Sequence, residues 1–537
     1  MLAFMVNVMA ANTVSVRNKT IRRGHRITVR PWGWATATIL ILAASILGYD
    51  MYSGRLGIIG PQPVIAENGG KKIIKVPPGG NVQAAIEQAE SGDIVELQAG
   101  AVYSGTVTLP NKPLTDFVTI QSSAARDLPV DKRVSPTQRS SMATIVAGIL
   151  GRPAVSAANG AHHYRFVGIE FTAASSFYNY GLVTLGSGET QAAKLPHDIE
   201  IDRSYFHPHK TGTARRGLAL NSANTTIKNS YFEGFAFPGE ETQGICGWTG
   251  TRNVHVINNY IEGGAENIMF GGADPDSTDL IPIDIEIRGN HLNKPAEWNG
   301  KATVKTLFEL KNAKRVQFIG NLLTNNWKGS AFRITVRNQD NGAPFSTIED
   351  VVIKDNIIDS AGEGINILGK DDTYPSQTLK RLTIANNLFL NLAGGNGFEG
   401  SGYFIQIAGG EDIAVENNTV FNSGNITTFY GTLPRNFVFR DNITGHGNYG
   451  IHGPVDLRSD SARAMFQNNV FMNLNGVSSG DYAFPSGNDL ISGIAEVGFT
   501  DPSAKDFRLG PNSKLRGKGR NGKNVGCDLS TQNVGAR

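Results

Sequence analysis

Between residues 201 and 471 the chain repeats one short pattern: two alternating apolar positions, then Asn or a small residue, then an apolar pair. It reads Ile201-Asp-Arg-Ser-Tyr-Phe206, Val256-Ile-Asn-Asn-Tyr-Ile261, Phe318-Ile-Gly-Asn-Leu-Leu323 and Val415-Glu-Asn-Asn-Thr-Val420, among others. Aligned on the fourth position, the marks fall at 204, 230, 259, 290, 321, 356, 387, 418, 442 and 469, at intervals of 24 to 35 residues. Such a period is a repeat array. Between marks lies a second apolar strand, as in Phe308-Glu-Leu-Lys311, Phe332-Arg-Ile-Thr-Val-Arg337 and Gly364-Ile-Asn-Ile-Leu368. Several short strands per repeat, with alternation and no helical period, predict a β-solenoid whose coils stack Asn upon Asn. A β-sandwich would place strands every 8–12 residues without this fixed Asn register.

Ahead of the array, Ile73-Ile-Lys-Val-Pro-Pro-Gly-Gly-Asn81 leads into an amphipathic helix, Val82 to Glu90, and a first strand within Ser91–Leu97. With the Asn marks, this opening resembles the right-handed parallel β-helix proteins of the pectate-lyase-like (pectin-lyase-fold) superfamily, over roughly residues 73–530. The resemblance implies an all-β right-handed parallel β-helix with an N-terminal capping helix, since an open coil end exposes apolar interior. It also implies a closing turn in the tail, around Phe499 and Asp506–Leu509. Activity is less defined. The Trp-Ile-Asp-His and Arg-x-Pro-x-x-Arg motifs of typical pectate lyases are missing. Asp371-Asp372 and Gly445-His-Gly447 match fragments of the polygalacturonase signature at the wrong spacing. The segment 307–340 is similar to a subgroup of bacterial β-helix proteins described by fold only.

Alternation predicts which side chains leave the solenoid. With Phe308 and Leu310 inward, Glu309 and Lys311 point out; with Phe332, Ile334 and Val336 inward, Arg333, Thr335 and Arg337 do. Ile268 and Phe270 inward turn Asn267 out, and Asn366 and Gln406 extend the row. This cluster suits β-elimination on a uronate-containing glycan. Arg333 and Arg337 would hold the substrate carboxylate, and Asn267, Asn366 and Gln406 the sugar. Lys311, beside a like charge, would give up its proton and act as base, with Glu309 orienting it. A ladder of surface ion pairs, Glu309 with Arg333 and Lys311, is the competing reading. Glu266, Asp274 and Asp276, in a Gly-rich loop, offer hard oxygens for Ca²⁺, which some β-helix lyases use; an Asx-capped turn explains the same residues. A third cluster holds His207, His209 and Lys210, and Trp298, on the 294–301 loop, would supply a sugar-stacking face.

Composition narrows the class. Charged residues are 18% and hydrophobic residues 40%, against both long disorder and a multi-span membrane protein. Seven Lys/Arg and one acid precede residue 67, leaving 43 basic against 46 acidic residues, no basic face for nucleic acid. Cys246 and Cys527 form no metal-ligand spacing. Residues 1–31 form a basic stretch ahead of an uncharged segment, 32–49, followed by a linker, 50–72, and the β-helix domain, 73–530. A cleaved signal peptide and a single membrane anchor both fit the segment, so the body is expected to be exported. The expected function is an extracytoplasmic polysaccharide lyase on acidic glycans, with a glycoside hydrolase or a non-catalytic glycan-attachment solenoid as alternatives. No pair of carboxylates placed for inverting hydrolysis is identifiable in the sequence.

Overall fold

A computed structural model describes residues 61–529, apart from 69, 175–177, 394–396 and 479–482. The leader segments 1–31 and 32–49 lie outside the described residues. Within the expected linker, Val64–Asn68 is a strand paired antiparallel with Lys71–Val76. No helix among the described residues is long and apolar enough to cross a membrane.

The chain winds into stacked coils. Among the described residues, one fifteen-stranded sheet takes one strand per coil, parallel throughout after its first pair. A second sheet contains two ladders. One passes through Ile169–Ala173, Tyr205–Phe206, Tyr231–Phe232, Tyr260–Glu262 and His291–Asn293. The other passes through Val183–Leu185, Arg216–Leu220, Gln243–Gly247, Glu266–Phe270 and Thr306–Leu310. The ladders merge where Leu322–Thr335 and Ile357–Leu368 cross both without a loop. Inward apolar residues fill the bore, with Phe206 stacked on Phe232 at 4.1 Å.

All ten marked positions sit in one buried ladder. From Asn290 to Asn469, each Asn Oδ1 accepts both the backbone N–H and the side-chain amide of its counterpart one coil earlier. For Asn321 the distances are 2.9 and 3.0 Å, from Asn290. Each Nδ2 also donates to a carbonyl of the preceding coil, as Asn321 does to Ile287 O at 3.0 Å. Ser204 and Ser230 begin the ladder through their hydroxyls, and it runs on past the last mark to Asn488. The residue before each Asn turns left-handed: Asn258 (φ 52°), Asp355 (φ 60°) and Asn386 (φ 52°) do so, and Gly289 and Gly320 (both φ 65°) do so without a side chain. The recurrent Asn-Asn pair therefore holds one corner residue that tolerates αL and one that pairs up the stack.

The predicted helix spans Val82–Gln88, N-capped by Asn81, and buries Val82, Ala85 and Ile86. It stops two residues short of Glu90 because Ala89 turns extended, and Lys112 donates to the carbonyl of Glu87 there. The tail departs from the expected closing turn. Phe499–Asp501 pairs with Asp506–Leu509, and Phe499, Phe507, Leu515 and Val525 pack on the outer faces of Ile357, Leu388, Ile443 and Val470. Gly526 N donates to Asp441 O at 2.8 Å and Asp528 N to Asn386 Oδ1 at 2.7 Å. The tail thus runs along the flank of the stack, tying coils together.

Asn321→Ala strands the buried backbone N–H of Asn290 and takes the side-chain donor from Ile287 O, while Asn290 Nδ2 keeps Val256 O. At about 1–3 kcal/mol per orphaned group, the loss is expected to reach about 3–5 kcal/mol. Arg435→Ala, whose exposed side chain pairs with Glu411, should cost less than about 1 kcal/mol. Urea unfolding of both variants checks this; equal midpoints would remove the ladder's special standing.

Candidate functional site

The outward row of the second sheet reads Met269, Glu309, Arg333, Asn366, Gln406 and Thr428, each the register partner of the next. Parallel pairing stacks these side chains at about 4.8 Å per rung. Glu309, Lys311, Arg333, Arg337 and Asn366 all line one open cleft of about 550 Å³. Gln406 sits one rung on and accepts from Asn366 Nδ2 at 3.0 Å.

The carboxyl of Glu309 forms the floor. It lies 2% exposed beside Glu266, which is fully buried and held by Gln243 Nε2 at 2.8 Å and by Lys305 Nζ at 3.4 Å. Among the described residues, buried Glu309 Oε2 accepts no hydrogen bond, and Glu266 Oε1 has only the Lys305 ammonium at 3.4 Å. Burial, the negative charge of Glu266 and a proton shared with it push Glu309 up to about 7, against the pull of Lys311 and Lys305. Burial also works against the charge of Lys305, but Glu266, Glu241 and Glu309 hold it protonated above its ordinary range.

Two cations stand free above this floor. Among the described residues Arg333 has no ion pair within 4 Å and its buried Nε makes no hydrogen bond, and the Lys311 ammonium has only a long contact, 3.5 Å, to Gln339 Oε1. Glu309 is the rung neighbour of Arg333, yet among the described residues no ion pair joins it to Arg333 or Lys311. Among the described residues the ion-pair ladder is therefore not formed, and the Glu309 carboxyl lies buried beside Glu266 rather than paired with Lys311.

Other expectations need correction. Arg337 is already engaged by Asp372, with Asp371 at 3.7 Å, so it is no free clamp; the Asp371-Asp372 pair, read from sequence as coincidence, supplies its partners. Asn267 does not point out: its Nδ2 donates to Ile261 O and Asn293 O, both at 2.8 Å, bracketing the loop between two strands. Asp274 spends both oxygens on the backbone N–H groups of Gln339, Asp340 and Gly342, latching the loop that brings Gln339 to Lys311. Asp276 is exposed, and Glu266 is occupied by Gln243 and Lys305. No three acidic, His or Cys side chains among the described residues converge to hold a metal. Glu266, Asp274 and Asp276 thus do not fit the six to eight oxygens Ca²⁺ takes. Trp298 belongs to a different pocket, with His207, His209 and Lys210. Sequence reasoning missed Lys305 and the Glu266–Glu309 contact; the Glu at 266 shares inward parity with Ile268, the one available signal.

No family model and no curated protein matches the chain. Solved structures do. A variant of the alginate lyase AlyGC, of polysaccharide lyase family 6, is 13% identical at a TM-score of 0.51, over 86% of this chain and 58% of that one. The chain therefore spans less than two thirds of that structure's length. PfbA, a surface adhesin of Streptococcus pneumoniae, is 14% identical (TM-score 0.45; 76% and 94% covered). The catalytic unit of a family 87 α-1,3-glucanase from Streptomyces thermodiastaticus is 13% identical (TM-score 0.39; 80% and 70%). At this identity the likeness is one of fold: the chain is a right-handed parallel β-helix.

The Glu309 carboxyl is protonated in the folded protein at pH values where an unfolded glutamate is ionised, so its contribution to stability is full below about pH 4.5 and fades as pH rises through about 7. Glu262, which burial also raises to about 7, acts in the same direction. Glu309→Gln should abolish the first contribution alone. Relative to wild type it should gain on the order of 1 kcal/mol or more between pH 5 and 8, read from unfolding midpoints across that range. An unchanged difference would mean Glu309 is ionised throughout.

Proposed function

We propose that the cleft binds a uronate-containing glycan and cleaves it by β-elimination. The observation that carries this reading is the free pair of cations, Lys311 and Arg333, side by side above a proton-bearing carboxyl. On the outer face of the first sheet Arg315, Arg381, Arg435 and Arg440 have carboxylate partners; here the missing anion is the substrate's. In this reading Arg333 neutralises the uronate carboxylate, which acidifies the adjacent C–H. Lys311 Nζ, which acts only once its ammonium has released a proton to solvent, takes that proton as the free amine; the electron pair forms the new carbon–carbon double bond as the glycosidic C–O bond breaks. Glu309 gives its proton to the departing oxygen, and Glu266 stabilises the protonated state beforehand. Asn366, ordered by Gln406, offers a hydroxyl partner. Arg337, tied to Asp372, shapes the wall. No metal enters this scheme.

Two further readings belong with it. The helix Val82–Gln88 covers the open apolar end of the first coils, which explains why three of its seven residues, Val82, Ala85 and Ile86, are apolar and buried. The basic stretch ahead of segment 32–49 supports export, which places the cleft where extracellular glycans are found.

Incubation with alginate, pectate and other polyuronates should release products with the ultraviolet absorbance of a conjugated double bond. Lys311→Ala should lower kcat by about 10²-fold or more, and Arg333→Ala should raise KM and lower kcat/KM by about 10- to 100-fold. Saturated products would transfer the chemistry to hydrolysis, and full activity in Lys311→Ala would remove the base. In wild type, kcat should fall as pH rises past about 7, where Glu309 loses its proton; Glu309→Gln should lack that limb at a lower ceiling.

A further inference from the structure

A second pocket, of about 630 Å³, lies away from the cleft, where the loops after Tyr205–Phe206, Tyr231–Phe232 and His291–Asn293 come together. Trp298, His209, Lys210, Glu233, Glu262 and Glu297 line it. None of these has a part in the elimination proposed above.

Its parts are held rigidly. The half-exposed Trp298 ends a short 3-10 turn, Ala296–Trp298, and its N–H donates to Pro295 O at 3.0 Å. The loop is anchored at its start by the fully buried Lys294, whose ammonium donates to Gly263 O at 2.6 Å and Gly264 O at 2.7 Å. Glu262 accepts from Tyr260 Oη and from Gly234 N, both at 2.8 Å, and Glu233 accepts from Tyr205 Oη. His207 is braced between Glu170 Oε1 at 2.7 Å and Pro208 O at 2.9 Å. His209 Nδ1 accepts the backbone N–H of Thr211, which leaves Nε2 to carry the ring proton.

The chemistry is the reverse of the cleft's. Each carboxyl offers about four lone-pair positions and uses one or two within the protein, so the pocket is rich in unused acceptors. Among the described lining residues the three carboxyls face Lys210 and His209 as donors free of internal ion pairs, Arg139 being paired with Glu170. A uronate would set its own carboxylate against Glu233, Glu262 and Glu297. The hydroxyls of an uncharged sugar would donate to them instead, with the apolar face of the ring on Trp298. We propose that this pocket is a second saccharide site that takes an uncharged hexose unit. With the cleft reading a uronate, the chain would be fitted to a heteropolysaccharide containing both; the second pocket itself stands without the lyase reading.

Calorimetric titration of the full chain with neutral β-1,4-linked tetrasaccharides of glucose and of mannose, and with a tetrauronate, tests this. At least one neutral tetrasaccharide should bind, with Kd raised about tenfold in Trp298→Ala and similarly in Glu233→Gln, which keeps the acceptor for Tyr205. Binding should be unchanged in Arg333→Ala. Circular dichroism and melting of each variant establish that the fold is intact, and Glu233→Gln carries the test if Trp298→Ala is unstable. Failure of both neutral sugars to bind, binding insensitive to both pocket substitutions, or displacement of the neutral sugar by the tetrauronate in the Arg333→Ala background would each overturn the proposal. Loss of elimination activity alone leaves it standing.

Discussion

The amide ladder from Asn259 to Asn469 is the constraint on which the other features depend. It is buried, it has no solvent to fall back on, and each rung satisfies a backbone N–H of the preceding coil that would otherwise be orphaned. A coil that slipped by one residue would strand several groups at once, so register is pinned at that corner. Everything else is counted from it. Arg333 follows its ladder residue, Asn321, by 12 positions, and Asn366 follows Asn356 by 10, because both coils cross to the cleft without a loop. Glu309 follows Asn290 by 19, and the extra residues are the loop that carries Trp298. The cleft and the second pocket are two consequences of one rule: the corner is fixed, and length is spent only between corners.

That fixed corner lets the molecule tolerate an unfavourable arrangement at the cleft floor. Two carboxyls side by side in a buried site cannot both ionise cheaply, and an arginine with an orphaned Nε adds to the cost. Such groups persist only where surrounding structure over-determines their positions. Here they lie on adjacent rungs of a sheet that continues on both sides, with the flanking tail tying later coils together. Protonation of Glu309 near neutral pH is the cheapest release available.

Much of this was legible in the sequence, and the limits are physical. The Asn marks revealed the coil, including the serine rungs at 204 and 230, because hydroxyl and amide do the same job there. Alternation placed Glu309, Lys311, Arg333 and Asn366 on one surface because parity holds inside a strand. It failed for Asn267, which sits just after the Gly263-Gly264 turn, where two carbonyls needing a donor outweigh the outward preference. Parity gives direction and not company, so Arg337 was read as free when Asp372, one coil away, had already taken it. The Ca²⁺ loop misled for a related reason: Asp274 has the right chemistry, but three backbone N–H groups consume its oxygens, and no spacing in the chain records that.

The outer face of the first sheet states the rule that the cleft breaks. Arg315 pairs with Asp284, Arg381 with Asp350, Arg435 with Glu411 and Arg440 with Glu416, each across neighbouring coils. Cations there are neutralised by the adjacent rung, which keeps a stack of like-facing side chains from repelling itself. By that rule Arg333 should pair with Glu309, its register partner. It does not, because Glu309 has turned to Glu266 and Lys305 has gone to Glu241 and Glu266. The negative charge of the region has been drawn below the floor, and two cations remain at the surface. A fold that needed only stability would have closed the pair between Glu309 and Arg333; keeping the Glu309 carboxyl buried beside Glu266 costs desolvation that an ion pair at the surface would have avoided.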